Sequence, residues 1–412
     1  MRTTIDIKDT EAIDWNFLRG EDRFLYRRIA DQDRAVLAVG VLKDLPVPEF
    51  GPDGRVNDWI FGALRYEWRN ALEPSVFGLG TDPETEYCSW SIPRYVVEWN
   101  GPTVRMHVHE GGEQAAVEWA RSFFRPATGN VPLVDLAWTE HCSREDYVSN
   151  VRKLLAHIRR GDIYEVNYCT GRTATCKDFD PYAAFDRLWQ RSAAPFAGFY
   201  RDRNEFALCA SPERFLAFDR DTVMGQPMKG TRPRAADPQE DARLAIELAA
   251  DPKERSENIM ALDVMRHDLS RIAASRSVTV DRLCTVVSLP QVHQMISVVS
   301  ARLRNGMTPL DAIRATFPMA SMTGAPKVRA MQLIQEVEGV ERGLFSGSLG
   351  FFAPDGTADF NVVIRTLLYN AASGAVSLTT GSAITALCDP DREWEECQLK
   401  ARSVINTIAH AG

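Results

Sequence analysis

No stretch of this chain approaches the ~18 consecutive apolar residues of a membrane span, so none is expected. The eight cysteines (Cys88, Cys142, Cys169, Cys176, Cys209, Cys284, Cys388 and Cys397) are scattered, and no two form a Cys-x-x-Cys pair. That spacing excludes zinc-ribbon and thioredoxin readings and fits buried single thiols in a reducing compartment. A net charge of −8 leaves no broad basic field for nucleic acid or an anionic membrane. The opening residues have no apolar core of a secretory signal, so the expected location is the cytoplasm. There is no Gly-x-x-x-x-Gly-Lys-Ser/Thr phosphate loop, so nucleotide use by that route is not expected. Repeats, low-complexity segments and flexible linkers are also missing.

What is present is ordinary for a globular protein: 412 residues, 45% apolar and 25% charged. Short apolar runs broken by Gly, Pro and Asp make residues 1–140 read as a strand-rich part. Residues 141–412 read as a core tightly joined to it, in a mixed α+β fold. Val148, Val151, Leu154, Leu155 and Ile158 repeat at helical spacing from Ser143, and Gly161 stops that helix. Further helices are expected over 252–274, from 324 to about 339, and over 391–410. Strands are expected at 163–169, 205–210, 214–218, 346–352, 360–369 and 375–380.

Several residues can carry chemistry. Lys229 lies between Pro227 and Gly230, with Arg232 and Arg234 beyond. Neighbouring cations would lower its pKa, and a neutral lysine attacks electrophilic carbon. The alternative is a basic loop paired with acids. Glu254/Glu257 and Glu393/Glu396 are Glu-x-x-Glu pairs in first helical turns, and each pair presents two carboxylates on one face. Two such helices facing each other would hold a hard cation such as Mg²⁺. Glu110/Glu113 and Glu338/Glu341 share the spacing, so spacing alone decides nothing. Arg365, in an apolar strand-like run, needs either an ion-pair partner or a substrate carboxylate. The Gly324–Lys327 helix start and a Gly381-Ser382 turn would offer N–H groups to an anion. Glu213 is a general acid if desolvated and a turn acid otherwise. His293 reads as a satisfied half-buried histidine. His107 and His109 share a strand face without a third metal ligand.

In this order the pieces closely resemble the chorismate-utilising enzymes. The matching text is Gly161-Asp-Ile-Tyr-Glu-Val-Asn167, Ser211-Pro-Glu213, Pro227-Met-Lys-Gly-Thr-Arg-Pro-Arg234, Lys253-Glu-Arg-Ser-Glu-Asn258, Val292-His293, Thr323-Gly-Ala-Pro-Lys327, Ile364-Arg-Thr366 and Glu393-Trp-Glu-Glu396. The resemblance covers residues 145–405. It implies large antiparallel and mixed sheets in a β-sandwich core, with helices outside.

The resemblance also implies roles. Glu257 and Glu396 would bind Mg²⁺, with Glu254 and Glu393 nearby or acting through water, and the metal would hold chorismate's ring carboxylate. Arg365 would grip the pyruvyl carboxylate, helped by Lys400 and by N–H groups near Gly381 and Ser382. Glu213 would protonate the departing 4-hydroxyl, His293 would orient the ring, and Thr231 would lie beside the attacked carbon. Lys229 stands where anthranilate, isochorismate and salicylate synthases usually carry alanine, and looks like the aminodeoxychorismate branch. Glu165 replaces the lysine base of water-using members, which argues against isochorismate or salicylate formation. Gly381-Ser382-Ala383 departs from a glycine run, and Met319-Ala320 from a Gly-Gly pair. No Cys-His-Glu glutaminase module is visible, so ammonia would come from a separate glutamine amidotransferase subunit.

Overall fold

A computed structural model describes residues 2–8, 10, 12–77, 83–126, 135–289 and 292–409. Two antiparallel sheets, of 12 and 10 strands, face each other. Leu25, Val36 and Ala207 of the larger sheet and Phe61, Leu349 and Phe351 of the smaller one share the apolar layer between them. Their alternation with residues of the opposite face is the period-2 pattern of a strand. Helices cover the outer faces. Arg144–Arg160, Lys327–Glu338 and Pro390–Ile408 pack through Leu154, Leu333 and Trp394 onto Val166, Tyr168 and Ile384 of the larger sheet. Pro252–Ser270 packs through Leu262, Met265 and Leu269 behind the smaller sheet. No helix among the described residues is long and apolar enough to cross a membrane.

Strands from the first 140 residues enter both sheets. Arg23–Ile29 pairs with Gly198–Asp202 in the larger, and Ile60–Leu64 pairs with Ser348–Phe352 in the smaller. Strands from both sides of residue 140 thus share hydrogen-bonded ladders. One ion cluster crosses the gap. Asp359 of the smaller sheet accepts from Arg27 Nη2 of the larger at 2.7 Å and from Arg214 Nε at 2.8 Å. Arg214 also takes both oxygens of Asp31, at 2.6 and 2.7 Å.

The helix over Arg144–Arg160 forms as its spacing predicts. Ser143 accepts from the Asp146 N–H, and Gly161 closes the helix in the left-handed region at φ 82°. Elsewhere the structure corrects the sequence reading. The run 360–369 is two strands, Thr357–Asn361 in the smaller sheet and Thr366–Asn370 in the larger. The chain changes sheets between them, with Arg365 at φ 51° in the crossing. Apolar content alone does not reveal a crossing, because both strands are buried. The Lys229 segment is a bulged strand, Met228–Pro233, not a loop. Gly381-Ser382 is not a turn but lies inside the strand Ala375–Thr385. The helix Pro238–Ala250 went unread because it is weakly amphipathic and buries only Leu248. The paired strands Thr279–Ser288 and Val292–Arg302 were also missed.

Both guanidiniums on Asp359 have fully buried side chains. Asp359→Ala leaves two buried cations without their shared anion, and should cost about 3–5 kcal/mol. Urea unfolding with an unchanged m-value checks this.

Candidate active site: a lysine enclosed by carboxylates

Lys229 projects from the smaller sheet toward the larger, where its Nζ lies 2.9 Å from Glu165 Oε1. The register shift between Met228 and Thr231 sets that direction. Gly230 makes the bulge possible. Its φ is +93°, and a Cβ there would lie 3.1 Å from both Cβ and Oε2 of Glu254. Asn258 holds the strand on the helix below, donating from Nδ2 to the carbonyls of Lys229 and Met295, each at 3.3 Å.

The expected lowering of the Lys229 pKa is overturned. Burial does push the ammonium down, but the carboxylates of Glu165, Glu257 and Glu213 together outweigh it and the pKa is raised. The two arginines blamed for repulsion are neutralised elsewhere. Arg232 pairs with Asp251 at 2.7 Å and Glu254 at 3.4 Å, and Arg234 pairs with Asp241 at 2.7 Å. Sequence proximity misled because each arginine has a carboxylate partner from another element, distant in sequence from Lys229.

Glu213 is fully enclosed, and burial pushes its carboxyl up to about 7. The Ser321 hydroxyl, Lys229, Arg365 and Lys400 act in the opposite direction, which places all four around it. Ser321 faces the carboxyl without forming a full hydrogen bond to a described residue. The sequence reading missed it, though a lone hydroxyl in the apolar run Phe317–Met322 was a usable signal. The Glu213 backbone is fixed at both ends. Its N–H donates to Ser211 Oγ at 3.1 Å, and its carbonyl accepts from Val362 N–H at 3.1 Å.

Arg365 makes no side-chain hydrogen bond or ion pair with any described residue. Its backbone carbonyl accepts from Ala210 N–H at 3.2 Å. Burial lowers its pKa and Glu213 opposes that. A guanidinium held beside a half-protonated acid with no anion of its own suits a ligand carboxylate. Lys400 donates to the Gly381 carbonyl at 2.8 Å and pairs with Glu396 at 2.7 Å. Ser382 bonds the Tyr147 hydroxyl at 2.9 Å and lies beside the Glu393 carboxylate. Gly381 and Ser382 stand opposite Cys169 and Tyr168 in the ladder. The neighbouring strand pairs only as far as Leu378, so the edge beyond is open where the chain turns off at Arg365.

The two acidic helices do approach. Glu257 and Glu393 are buried, and Lys253 Nζ lies 3.8 Å from one and 3.9 Å from the other. Burial raises Glu257 to about 7 and also raises Glu393, which Glu396 raises further. Glu257 Oε1 is buried with no hydrogen bond. Glu254 turns to Arg232, and Glu396 to Lys400. Among the described residues no three acidic, histidine or cysteine side chains are drawn together tightly enough to hold a metal as they stand. The Glu257 oxygen without a hydrogen bond, beside the Glu393 carboxylate, has the oxygen donor chemistry that suits a hard divalent cation.

Two further expected site residues, on the strand pair that carries Lys229, are held by neighbouring side chains. His293 is buried with both ring nitrogens engaged, Nε2 with Asp241 and Nδ1 with Ser288, each at 2.9 Å. Thr231 donates its hydroxyl to Gln294 at 3.0 Å. His107 and His109 pair with Glu98 and Asp58, both at 3.1 Å.

The match to known proteins is broad. Residues 28–406 fit the family model of chorismate binding enzymes. The chain belongs to that family. An aminodeoxychorismate synthase of Streptomyces griseus is 42% identical over 266 residues, which are 64% of this chain and 36% of that protein. The aminodeoxychorismate synthase component 1 of Klebsiella aerogenes is 37% identical over 295 residues, 72% of this chain and 64% of its own length. The anthranilate synthase component 1 of Thermus thermophilus is 40% identical over 379 residues, 89% of this chain and 79% of that one. The match thus spans less than two thirds of the first two relatives' length. The solved menaquinone-specific isochorismate synthase of Escherichia coli shares the fold, with a TM-score of 0.79 at 18% identity, covering 100% of this chain and 95% of that one.

Glu165 is the nearest carboxylate to Lys229, so Glu165→Gln should lower the lysine pKa by about one pH unit. The pH profile of Lys229 acetylation, read by peptide mass spectrometry, should move to lower pH.

Proposed function

We propose that this chain is the ammonia-using component that converts chorismate to 4-amino-4-deoxychorismate, on the route to 4-aminobenzoate and folate. The observation that carries the reading is the enclosed Lys229, an amine set between Glu165 and the near-neutral acid Glu213. The names of the Streptomyces and Klebsiella relatives support it.

Lys229 is charged at rest, so it must lose a proton before attacking. Glu165 Oε1, at 2.9 Å, is within reach to take it. The amine lone pair then forms a bond to C2, the ring double bonds shift, and the C4–O bond breaks. The oxygen leaves as water with the proton of Glu213, whose pKa of about 7 keeps that proton available at neutral pH. Ammonia adds at C4, the double bonds return, and the C2–N bond breaks. Lys229 leaves as an amine with the proton that ammonia gives up. Arg365, lacking an anionic partner, would take the pyruvyl carboxylate, with Lys400 alongside.

Glu257, Glu393 and Glu396, with Glu254 at the edge, would hold Mg²⁺, which supplies positive charge for the ring carboxylate. Ammonia would come from a separate glutamine amidotransferase, in keeping with the component 1 name of the Klebsiella relative. All eight cysteines are unpaired, which suits the cytoplasm.

A second reading is anthranilate synthase component I, favoured by the longer match to the Thermus protein. Product identity separates the two. Purified protein with chorismate, Mg²⁺ and ammonium should yield aminodeoxychorismate by mass spectrometry, and Lys229→Ala should lose most of that yield. Anthranilate from both proteins would sink the lysine relay.

Glu213 must be protonated to act and its pKa is raised, so kcat/KM should fall as pH rises through about 7. Glu213→Gln should abolish that limb and lower kcat roughly 10²-fold or more.

A further inference from the structure

Lys253 has no role in the reaction described above. It sits at the start of the helix Pro252–Ser270, and its stem reaches across to the helix Pro390–Ile408. Its ammonium lies 3.8 Å from Glu257 Oε1 and 3.9 Å from Glu393 Oε1. Those two carboxylate side chains are only 11% and 5% exposed, whereas Lys253 is 50% exposed. Glu254 and Glu396 act on the same ammonium, so it stands in the field of all four carboxylates.

These distances exceed hydrogen-bond range. Lys253 therefore offsets the charge of the two buried carboxylates without satisfying their lone pairs, and Glu257 Oε1 stays without a bond. A divalent cation would bind the same oxygens at about 2.0–2.1 Å and satisfy them directly. A divalent cation on those two oxygens would strongly repel an ammonium held as near to them as Lys253 in a partly desolvated site. The half-exposed lysine has a flexible four-carbon stem and open solvent to move into.

We propose that Lys253 is a built-in counter-cation that holds the acidic helices together when the metal is absent and is displaced when Mg²⁺ binds. The inference rests on the metal reading given above. It assigns Lys253 as a positioning residue that sets how much Mg²⁺ the site needs.

The test is calorimetric titration of the whole protein with MgCl₂, without chorismate, for the wild type, Lys253→Met and the remote control Lys153→Met. Lys253→Met should tighten Mg²⁺ binding about tenfold, the worth of ~1.4 kcal/mol, while Lys153→Met should leave it unchanged. A second readout needs no variant. Mg²⁺ should speed acetylation of Lys253 in the wild type, followed by peptide mass spectrometry, as the ammonium moves into solvent. Unchanged or weaker Mg²⁺ binding in Lys253→Met, with measurable binding in the wild type, overturns the displacement and leaves the metal reading standing. No Mg²⁺ binding in any of the three proteins overturns both.

Discussion

Asp359 is shared by guanidiniums from the two facing sheets, and the relative position of those sheets rests on it. Removing two arginines and an aspartate from water is unfavourable unless the charges meet in good geometry. Here Arg27 and Arg214 each take one Asp359 oxygen, and Asp31 completes the set. An apolar layer alone would tolerate sliding of one sheet over the other, but a directional ion cluster does not. That registration matters because the Lys229–Glu165 ion pair is also split between sheets: Glu165 comes from the larger and Lys229 from the smaller.

The site is best understood by where its positive charges lie. Lys229, Lys253, Lys400 and Arg365 are set among Glu165, Glu213, Glu257, Glu393 and Glu396. The lysine cations each have a carboxylate, and Arg365 has no ion-pair partner among the described residues. Burial raises the Glu213 and Glu257 carboxyls to about 7, which brings their protonation toward neutral pH. Under the proposed function, a dianionic substrate would meet a guanidinium that pairs with no described residue and acids that can take up protons to accommodate its charge.

The sequence was informative where local rules act alone. Ser143 and Gly161 bracket a helix because capping is decided within a few residues. The Glu-x-x-Glu pairs fall in the first two turns because proline and aspartate fix the helix starts. Motif order was enough to gather Lys229, Glu213, Arg365 and the acidic helices, and the structure places them around one cluster. What stayed hidden was set by long-range pairing. The charges around Lys229 come from residues 16 to 64 positions away, Glu213 and Glu165 before it and Glu257 after it, so the adjacent arginines gave the wrong sign. Arg365 looked like a strand residue because two buried strands of different sheets run on without a polar break. Gly381-Ser382 looked like a turn because glycine inside a strand gives no hint of close backbone approach. A Cβ on Gly381 would lie 2.5 Å from the Cys169 sulfur.

The ladder between Ile60–Leu64 and Ser348–Phe352 joins segments made far apart in time on the ribosome. Until residue 352 emerges, Phe61 and Leu64 have no sheet partner on that side, though the whole strand is destined for burial. Contacts of such separation form late and slowly, and an unpaired apolar strand edge is prone to aggregation meanwhile. The nascent chain therefore carries this apolar strand without that partner until residue 352 has been made. Expression at low temperature or with a holdase chaperone present should raise the soluble yield, whatever the stability of the finished protein.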